Sequence, residues 1–163
     1  MASTTVSATR PTISAKLLGA GLIASLVMGM WEMIVEAIIP NGAGFWSAPV
    51  YIAATIFRNL QSVARPVPFD ALGVVAGLMG HMMNSVIFGL IFAFVIAPRF
   101  KSLVVQWVAG MVYGMVVFAM MWFVIVPLVD PVMLNLNAVV FLLGHLMWGV
   151  ALGGLNHWAT AKA

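Results

Sequence analysis

Four long apolar stretches constrain the fold of this chain more than any other feature of its sequence. They lie at about residues 16–39, 71–96, 102–127 and 137–158. Each reaches the roughly 20 apolar residues that a helix needs to cross a bilayer. In lipid the backbone satisfies its hydrogen bonds only within helices or closed barrels, and stretches of this length indicate helices. The sequence therefore predicts an all-α integral membrane protein with a four-helix bundle.

The composition excludes several classes of function. Hydrophobic residues make up 64% of the chain and charged residues 7%, whereas soluble domains are about half apolar and about a quarter charged. With no cysteine, the chain can form neither disulfides nor thiolate metal sites. Its few basic residues are scattered among the loops and give no surface for nucleic acid. The sequence also lacks a phosphate-binding glycine loop and the motifs of metalloproteases and serine hydrolases, so we expect no catalysis by this chain alone.

The polar and apolar stretches divide the chain into a tail and one domain. Residues 1–15 are rich in serine and threonine and predict a cytoplasmic tail, and residues 16–163 predict a single membrane domain. The only long loop covers residues 40–70. Within it, Ser47 is a candidate cap for a helix over about residues 48–61 that has one largely apolar side. We expect an interfacial helix that either lies on the membrane surface or caps the bundle.

The basic residues predict the orientation in the membrane, because cytoplasmic loops carry an excess of lysine and arginine. The first loop contains only Arg58 and Arg65, and the third loop contains no basic residue. The two termini and the second loop together carry Arg10, Lys16, Arg99, Lys101 and Lys162. This bias predicts that both termini are cytoplasmic and that the long first loop is outside.

An internal repeat divides the four spans into two related pairs. Residues 80–89 read GHMMNSVIFG and residues 144–153 read GHLMWGVALG, and five positions match without a gap. Such a repeat predicts two similar helical hairpins. At a rise of about 1.5 Å per residue, His81 and His145 lie at about the same depth in helices that run in the same direction. An ionisable side chain at this depth is costly and marks a candidate functional site.

Two glycines and two glutamates accompany these histidines. Gly80 and Gly144 immediately precede them and are expected to leave room beside each ring. Glu32 and Glu36 are spaced i, i+4 in the first span and therefore share one helix face. By the same count of residues, Glu32 approaches the depth of the histidines, whereas Glu36 lies nearer the outer end of the span.

Four interpretations of this set remain open. In a structural one, each histidine hydrogen-bonds a neighbouring helix, as buried polar groups in lipid require. In a haem b site, the imidazoles of His81 and His145 ligate the iron from two facing helices, and Gly80 and Gly144 admit the macrocycle. In a third interpretation, carboxylate and imidazole groups at similar depth relay protons or bind a transported cation.

A small metal site is the fourth interpretation. Its nitrogen and oxygen ligands would be Glu32, Glu36, His81 and His145. Thioethers suit Cu(I), and Met83 and Met147 follow the histidines closely in sequence, so the predicted metal is copper.

Two stretches carry a resemblance to known proteins. Residues 145–153 read HLMWGVALG, and residues 44–49 read GFWSAP. Both resemble a pattern in small, mostly uncharacterised bacterial inner-membrane proteins of four spans, whose last helix reads His-Leu, an aromatic residue, Gly and then Leu-Gly. Met147 stands where that pattern has an aromatic residue, and Trp148 follows it. The resemblance implies a four-span protein of the bacterial inner membrane and implies no reaction.

These observations lead to two predicted functions. The first is a non-catalytic accessory subunit of a larger membrane complex, respiratory or redox in kind, with haem b or copper held between His81 and His145. The alternative is a small metal-ion or proton carrier that forms homo-oligomers and uses Glu32 and Glu36 together with the two histidines. In both cases the partners are the lipid bilayer and other membrane chains.

Overall fold

The computed structural model describes residues 13–160, which contain five helices of seven residues or more and no β-strand. We number these helices α1 (Ala15–Ile38), α2 (Ser47–Ala53), α3 (Ala71–Arg99), α4 (Leu103–Val129) and α5 (Ala138–Thr160). All except α2 are long and apolar enough to cross a membrane. The prediction of an all-α bundle of four spans, with a further helix in the first loop, is confirmed. The chain is an integral membrane protein.

The four long helices begin and end within one helical turn of the predicted spans. Ser14 caps α1 by accepting a hydrogen bond from the Leu17 amide, and Asp70 caps α3 by accepting one from the Gly73 amide. The Asn137 side chain accepts hydrogen bonds from the first amides of α5 in the same way. A helix leaves its first amides unpaired, and side-chain caps satisfy them. These three residues therefore fix where three of the spans begin.

The two ends of the bundle can be distinguished by what they carry. The Lys16 ammonium lies 5.4 Å from the centre of the Trp158 ring, so the first and last helices meet at one end, which we call the terminal end. The opposite end carries α2, and we call it the cap end. Arg10, Lys162 and the predicted tail as far as residue 12 lie outside the described residues.

The four long helices pack in the order α3, α1, α5, α4, and glycines bring their backbones together. A Cβ atom on Gly149 of α5 would overlap the carbonyl group of Gly110 on α4. One on Gly21 of α1 would lie 2.9 Å from the Cα of Val86 and 3.2 Å from the carbonyl oxygen of Ser85 on α3. Ser85 is the repeat equivalent of Gly149, so the two hairpins pack at similar positions. This is the close approach that small residues at four-residue spacing predict for helices in lipid.

Two of the spanning helices contain a wide turn near one end. The backbone is π-helical at Phe92–Ile96 in α3 and at Met121–Ile125 in α4. In each case a proline, Pro98 or Pro127, follows two residues later. Proline has no backbone N–H to donate to the preceding turn, and the wider π-helical turn accommodates the missing hydrogen bond.

Helices α3 and α4 meet toward the terminal end and diverge toward the cap end. The Tyr113 hydroxyl on α4 donates a hydrogen bond to the Phe88 carbonyl on α3 at 3.0 Å. The Tyr113 ring also lies 5.6 Å from the ring of Phe92. Closer to the cap end, both helices line a cavity that separates them. The bundle is therefore closed at the terminal end and open on one side in its other half.

The helix in the first loop is shorter than predicted. α2 ends at Ala53, and a separate 3₁₀ segment follows at Arg58–Ser62, so the expected continuous helix over about residues 48–61 is wrong. Ser47 is the first residue of α2 and does not cap it, because its hydroxyl group donates to the Gly44 carbonyl at 2.6 Å. An apolar side can belong to one helix or to two successive segments, and here the Gln61 side chain folds back to donate a hydrogen bond to the Ala54 carbonyl at the end of α2.

α2 caps the bundle, which is one of the two positions left open by the sequence. Val50 and Tyr51 have no exposed surface. The helix packs against α3, where a Cβ atom on Gly77 would overlap the carbonyl group of Pro49. The absence of a side chain at Gly77 thus lets α2 sink into the bundle instead of lying on the membrane surface.

Candidate functional site

One cavity in the cap half of the bundle contains the polar residues that the sequence singled out. Its volume is about 180 Å³, and all four spanning helices contribute to its walls. The polar lining consists of Glu32, Thr55, His81, Asn84, Ser85, Asp130 and His145. The rest of the lining is apolar, with the aromatic residues Phe88, Phe141 and Trp148 and the methionines Met28, Met121 and Met133. A mostly apolar cavity with a few convergent polar groups is typical of a ligand site.

Glu32 is the carboxyl group that a spanning helix contributes to this cavity. Its side chain is only 2% exposed. Among residues 13–160, its Oε1 atom has no hydrogen-bond partner. Gly144 lies opposite, and a Cβ atom there would come within 3.0 Å of Oε1. A buried polar group without a partner costs free energy, and an ionised one costs far more, so this carboxyl group requires a proton or a cation.

His81 is held by the neighbouring helix. Its Nε2 atom lies 3.1 Å from the Ser25 carbonyl oxygen on α1. A carbonyl oxygen only accepts hydrogen bonds, so Nε2 carries the hydrogen and, in the neutral ring, Nδ1 is left as an acceptor. This contact is what the structural interpretation of the sequence predicts for His81.

His145 is held by its own helix. Its Nδ1 atom lies 2.8 Å from the Phe141 carbonyl oxygen, one turn earlier in α5. By the same reasoning Nδ1 carries the hydrogen, and Nε2 of the neutral ring is the acceptor. The rings of Phe141 and Phe118 pack against the imidazole, with centroid distances of 4.4 Å and 5.9 Å. The two histidines of the repeat therefore share one cavity but differ in what holds them.

The cavity does not fit a haem. Its volume is below the roughly 300 Å³ at which pockets for drug-sized ligands begin. Nε2 of His81 donates to a carbonyl group and is not free to ligate iron. Gly80 and Gly144 leave no room for a macrocycle either, because Ile52 covers the first and Glu32 covers the second. These two glycines serve close packing of α3 against α2 and of α5 against α1.

The four predicted metal ligands do not form one site. Within residues 13–160, no three histidine, aspartate or glutamate side chains are grouped so that they could hold a metal ion. Glu32, His81 and His145 line the cavity, but Glu36 does not. Met83 and Met147 are 60% and 39% exposed and do not line the cavity. Each stands two residues after its histidine, a spacing at which helical side chains do not face each other.

Glu36 joins separate parts of the chain instead. Its side chain is 2% exposed. One carboxylate oxygen accepts a hydrogen bond from the Ala43 amide at 2.8 Å, and the other accepts one from the Asn137 amide at 2.6 Å. Glu36 thereby connects α1 with the first loop and with the start of α5.

We expect Glu36→Gln to lower the free energy of unfolding by about 2 kcal/mol. The glutamine NH₂ group would face the backbone N–H of Ala43 or of Asn137, so one of the two hydrogen bonds would be lost. Denaturant unfolding of the purified protein in detergent micelles measures this. Met83→Leu is the matched control on an exposed surface and should change stability by less than about 0.5 kcal/mol. A Glu36→Gln protein as stable as the wild type would contradict the role of this carboxylate.

A hydrogen-bond network at the cap end connects the first loop with the turn between α4 and α5. The buried Asp130 carboxylate accepts a hydrogen bond from the Thr55 hydroxyl at 2.9 Å and another from the Gln61 amide. The Gln61 side-chain oxygen accepts a hydrogen bond from the Val132 amide at 3.2 Å. Sequence reasoning missed Thr55 and Asp130 as cavity residues, because no pattern in the sequence connects these two distant loops.

The Asp130 network has an expected pH dependence. Burial raises the pKa of Asp130, while the hydrogen bonds from Gln61 and Thr55 oppose that effect. Because the pKa is raised in the folded state, the protonated carboxyl group adds to the free energy of unfolding. This contribution is complete below about pH 4 and is lost as the pH rises through the pKa of the folded state. We therefore expect the stability of the wild type to fall relative to Asp130→Asn from about pH 4 upward. Thermal unfolding of both proteins measures this, and parallel pH profiles would contradict it.

No protein-family model, curated protein or solved structure matches this chain. The residues of the cavity supply two buried carboxyl groups, Glu32 and the hydrogen-bonded Asp130, and two imidazole nitrogens that can accept a hydrogen bond. Such groups can hold and transfer a proton, or hold a cation in its place.

Proposed function

We propose that this protein is a small membrane carrier that takes up and releases a proton, or a cation in its place, at Glu32. The observation that carries the proposal is the Glu32 carboxyl group, which is 2% exposed and has an oxygen without a hydrogen-bond partner among the described residues. Ionisable groups inside the membrane are costly and mark proton or ion pathways. A proton or cation at Glu32 would remove the cost of its unpaired charge.

His81 and His145 are the proposed relay groups of the same cavity. Each has one ring nitrogen engaged with a backbone carbonyl oxygen, which orients the ring and leaves the other nitrogen to accept a proton. Imidazole exchanges protons readily near neutral pH. Asp130 and Thr55 line the cavity nearer the cap end and extend its polar surface toward the loops.

The proposed orientation has the cap end outside and the terminal end in the cytoplasm of a bacterial inner membrane. The bias of basic residues supports it, since Arg58 and Arg65 belong to the cap end and the other five belong to the terminal end or to the flanking tails. Toward the terminal end the bundle is closed, with Tyr113 against Phe88 and Phe92. We therefore expect Glu32 to exchange protons with the outer side in this conformation.

Proton flux into vesicles tests the function. The full chain is reconstituted into liposomes that contain a pH-sensitive dye, and a potassium diffusion potential drives protons inward. We expect acidification faster than in vesicles without protein. Flux equal to that of protein-free vesicles would reject the carrier function.

An accessory subunit of a larger membrane complex, of a respiratory or redox kind, is the second candidate. Asn84 favours it, because this amide is exposed on a spanning helix and lipid offers it no hydrogen-bond partner. A helix of another subunit, or of a second copy of this chain, would supply one. Purification from native membranes tests this candidate: a stoichiometric partner that is lost in Asn84→Leu supports it, and a protein that is reproducibly alone contradicts it.

A further inference from the structure

We propose that the cavity binds a small aromatic amine, which enters sideways from the bilayer between α3 and α4 as the neutral base and is held there as an ammonium group. The proposal rests on the proposed function, because the amine nitrogen would take the proton of the Glu32 carboxyl group and form an ammonium–carboxylate pair with it. The opening, the size, the free hydrogen-bonding atoms and the aromatic walls of the cavity each support this class of ligand.

The cavity opens toward lipid. Asn84 on α3 and Ile125 and Val129 on α4 line the cavity and are also exposed, Ile125 by 37% and Val129 by 44%. Thr55 in the first loop has both properties at the cap end, so the opening extends from the cap end to Asn84. Residues that have both properties mark where a cavity reaches the surface. Asn84 lies well inside its span, so the opening between the two helices reaches the hydrocarbon region. A ligand dissolved in the bilayer can therefore reach Glu32 without crossing an aqueous channel.

The size of the cavity fits a single ring. An apolar protein cavity of about 150 Å³ accommodates benzene, and pockets for drug-sized molecules begin at about 300 Å³. The cavity here has a volume of about 180 Å³. One aromatic ring with a short polar chain fills this space, and a larger molecule would have to extend through the opening into the lipid.

The free hydrogen-bonding atoms of the cavity call for a donor. Glu32 Oε1 has no partner among the described residues, and Nδ1 of His81 and Nε2 of His145 are the acceptor atoms of their neutral rings. A primary ammonium group has three N–H donors and no acceptor. It also neutralises the Glu32 carboxylate, and a buried charge is stable only when it is paired. A ligand that carried only carbonyl or carboxylate oxygens would leave these atoms unsatisfied.

The apolar walls suit the ring of such an amine. Phe88, Phe141 and Trp148 line the cavity and can pack against an aromatic ligand edge-to-face or offset. An ammonium group close to these rings gains a further cation–π attraction. Met28 and Met121 complete the wall with thioether groups, which contact aromatic rings favourably and adapt to their shape.

Calorimetric titration of the purified full chain in detergent micelles tests the ligand class. The probes are phenethylamine and phenethyl alcohol, which share a ring and a chain and differ in the charged group. We expect the amine to bind at least about tenfold more tightly than the alcohol, because only the amine pairs with the buried carboxylate. We also expect the release of one proton to the buffer, because the dissolved ammonium form gives up its proton before the neutral amine enters the site. The preference for the amine should be lost in Glu32→Gln. Equal affinities in the wild type, or no saturable binding of the amine, would overturn the proposal.

A second variant tests the lateral route. Val129→Trp fills the opening between α3 and α4 and should slow amine binding at least about tenfold by steric exclusion. Val104→Trp is the matched control, because Val104 is 61% exposed on the same helix and does not line the cavity. Amine binding at the wild-type rate in Val129→Trp would overturn the lateral route.

The two proposals at Glu32 fail separately. Glu32-dependent proton flux without amine binding would leave the proposed function standing and would reject the amine as ligand. Amine binding that prefers the charged probe, without any proton flux in vesicles, would reject the carrier function and retain the binding site.

Discussion

Proton flux in reconstituted vesicles should fall by about a hundredfold when Glu32 is replaced by glutamine. Among the described residues, Glu32 is the only carboxyl group that a spanning helix contributes to the cavity. Loss of a group that transfers protons typically lowers a rate by at least about a hundredfold. Glutamine has nearly the same shape and remains neutral at every pH, so the fold should survive. Circular dichroism and thermal unfolding of the variant establish that it is folded. The flux is measured with the internal pH dye under an imposed potential.

Two controls accompany the Glu32→Gln experiment. Met83→Leu changes an exposed residue at a similar depth and should leave the flux unchanged. His145→Gln keeps a polar side chain in the cavity but removes an exchangeable imidazole nitrogen, and we expect it to reduce the flux without abolishing it. Wild-type flux in a folded Glu32→Gln protein would show that protons do not pass through this cavity.

The fold itself should depend most strongly on the crossing of α4 and α5. Gly149→Ala should destabilise the protein by about 3 kcal/mol, because its Cβ atom would overlap the carbonyl group of Gly110 and force two backbones apart. Unfolding in detergent micelles, followed by circular dichroism, measures the change. Only a movement of the helix backbones can relieve this overlap, since no flexible side chain is involved.

Gly19→Ala is the matched control for this substitution. A Cβ atom on Gly19 would meet nothing within 4 Å. Alanine favours helix over glycine, so we expect this variant to be more stable than the wild type by about 0.5 kcal/mol. If Gly149→Ala and Gly19→Ala changed stability in the same direction, close packing between α4 and α5 would not be what holds these helices together.

The spanning helices could be predicted closely because lipid imposes one solution on each apolar stretch. The start of α3 follows from local chemistry that a sequence displays, namely the Asp70 cap. The prolines are less informative, because the wide turns let α3 and α4 continue past Pro98 and Pro127. Glycines four residues apart, Gly110 and Gly114 in one span and Gly149 and Gly153 in another, indicate close helix contacts. This spacing does not indicate that Gly110 faces Gly149, since small residues four apart occur in every span.

The candidate site was predicted in part. Counting residues along each span put Glu32 near the depth of His81 and His145, and all three line one cavity. The direction of each side chain around its helix axis also bears on the site. Met83 and Met147 follow their histidines by two residues, and this spacing alone indicates that they point away from them. The role of Glu36 was not predictable at all, because its partners are backbone amides, which every residue except proline has.

The hydrogen bonds of Glu36 also impose an order on the assembly of this protein during its synthesis. The carboxylate belongs to the first span, yet one of its two partners is the amide of Asn137, which the ribosome makes only when the last span begins. Until then, one oxygen of that carboxylate has no partner within the chain, and α1 alone cannot be fully stable in lipid. α1 can contact α3 before then, through the hydrogen bond from Ser85 to Gly21, but its Glu36 carboxylate gains its second partner only with the start of α5.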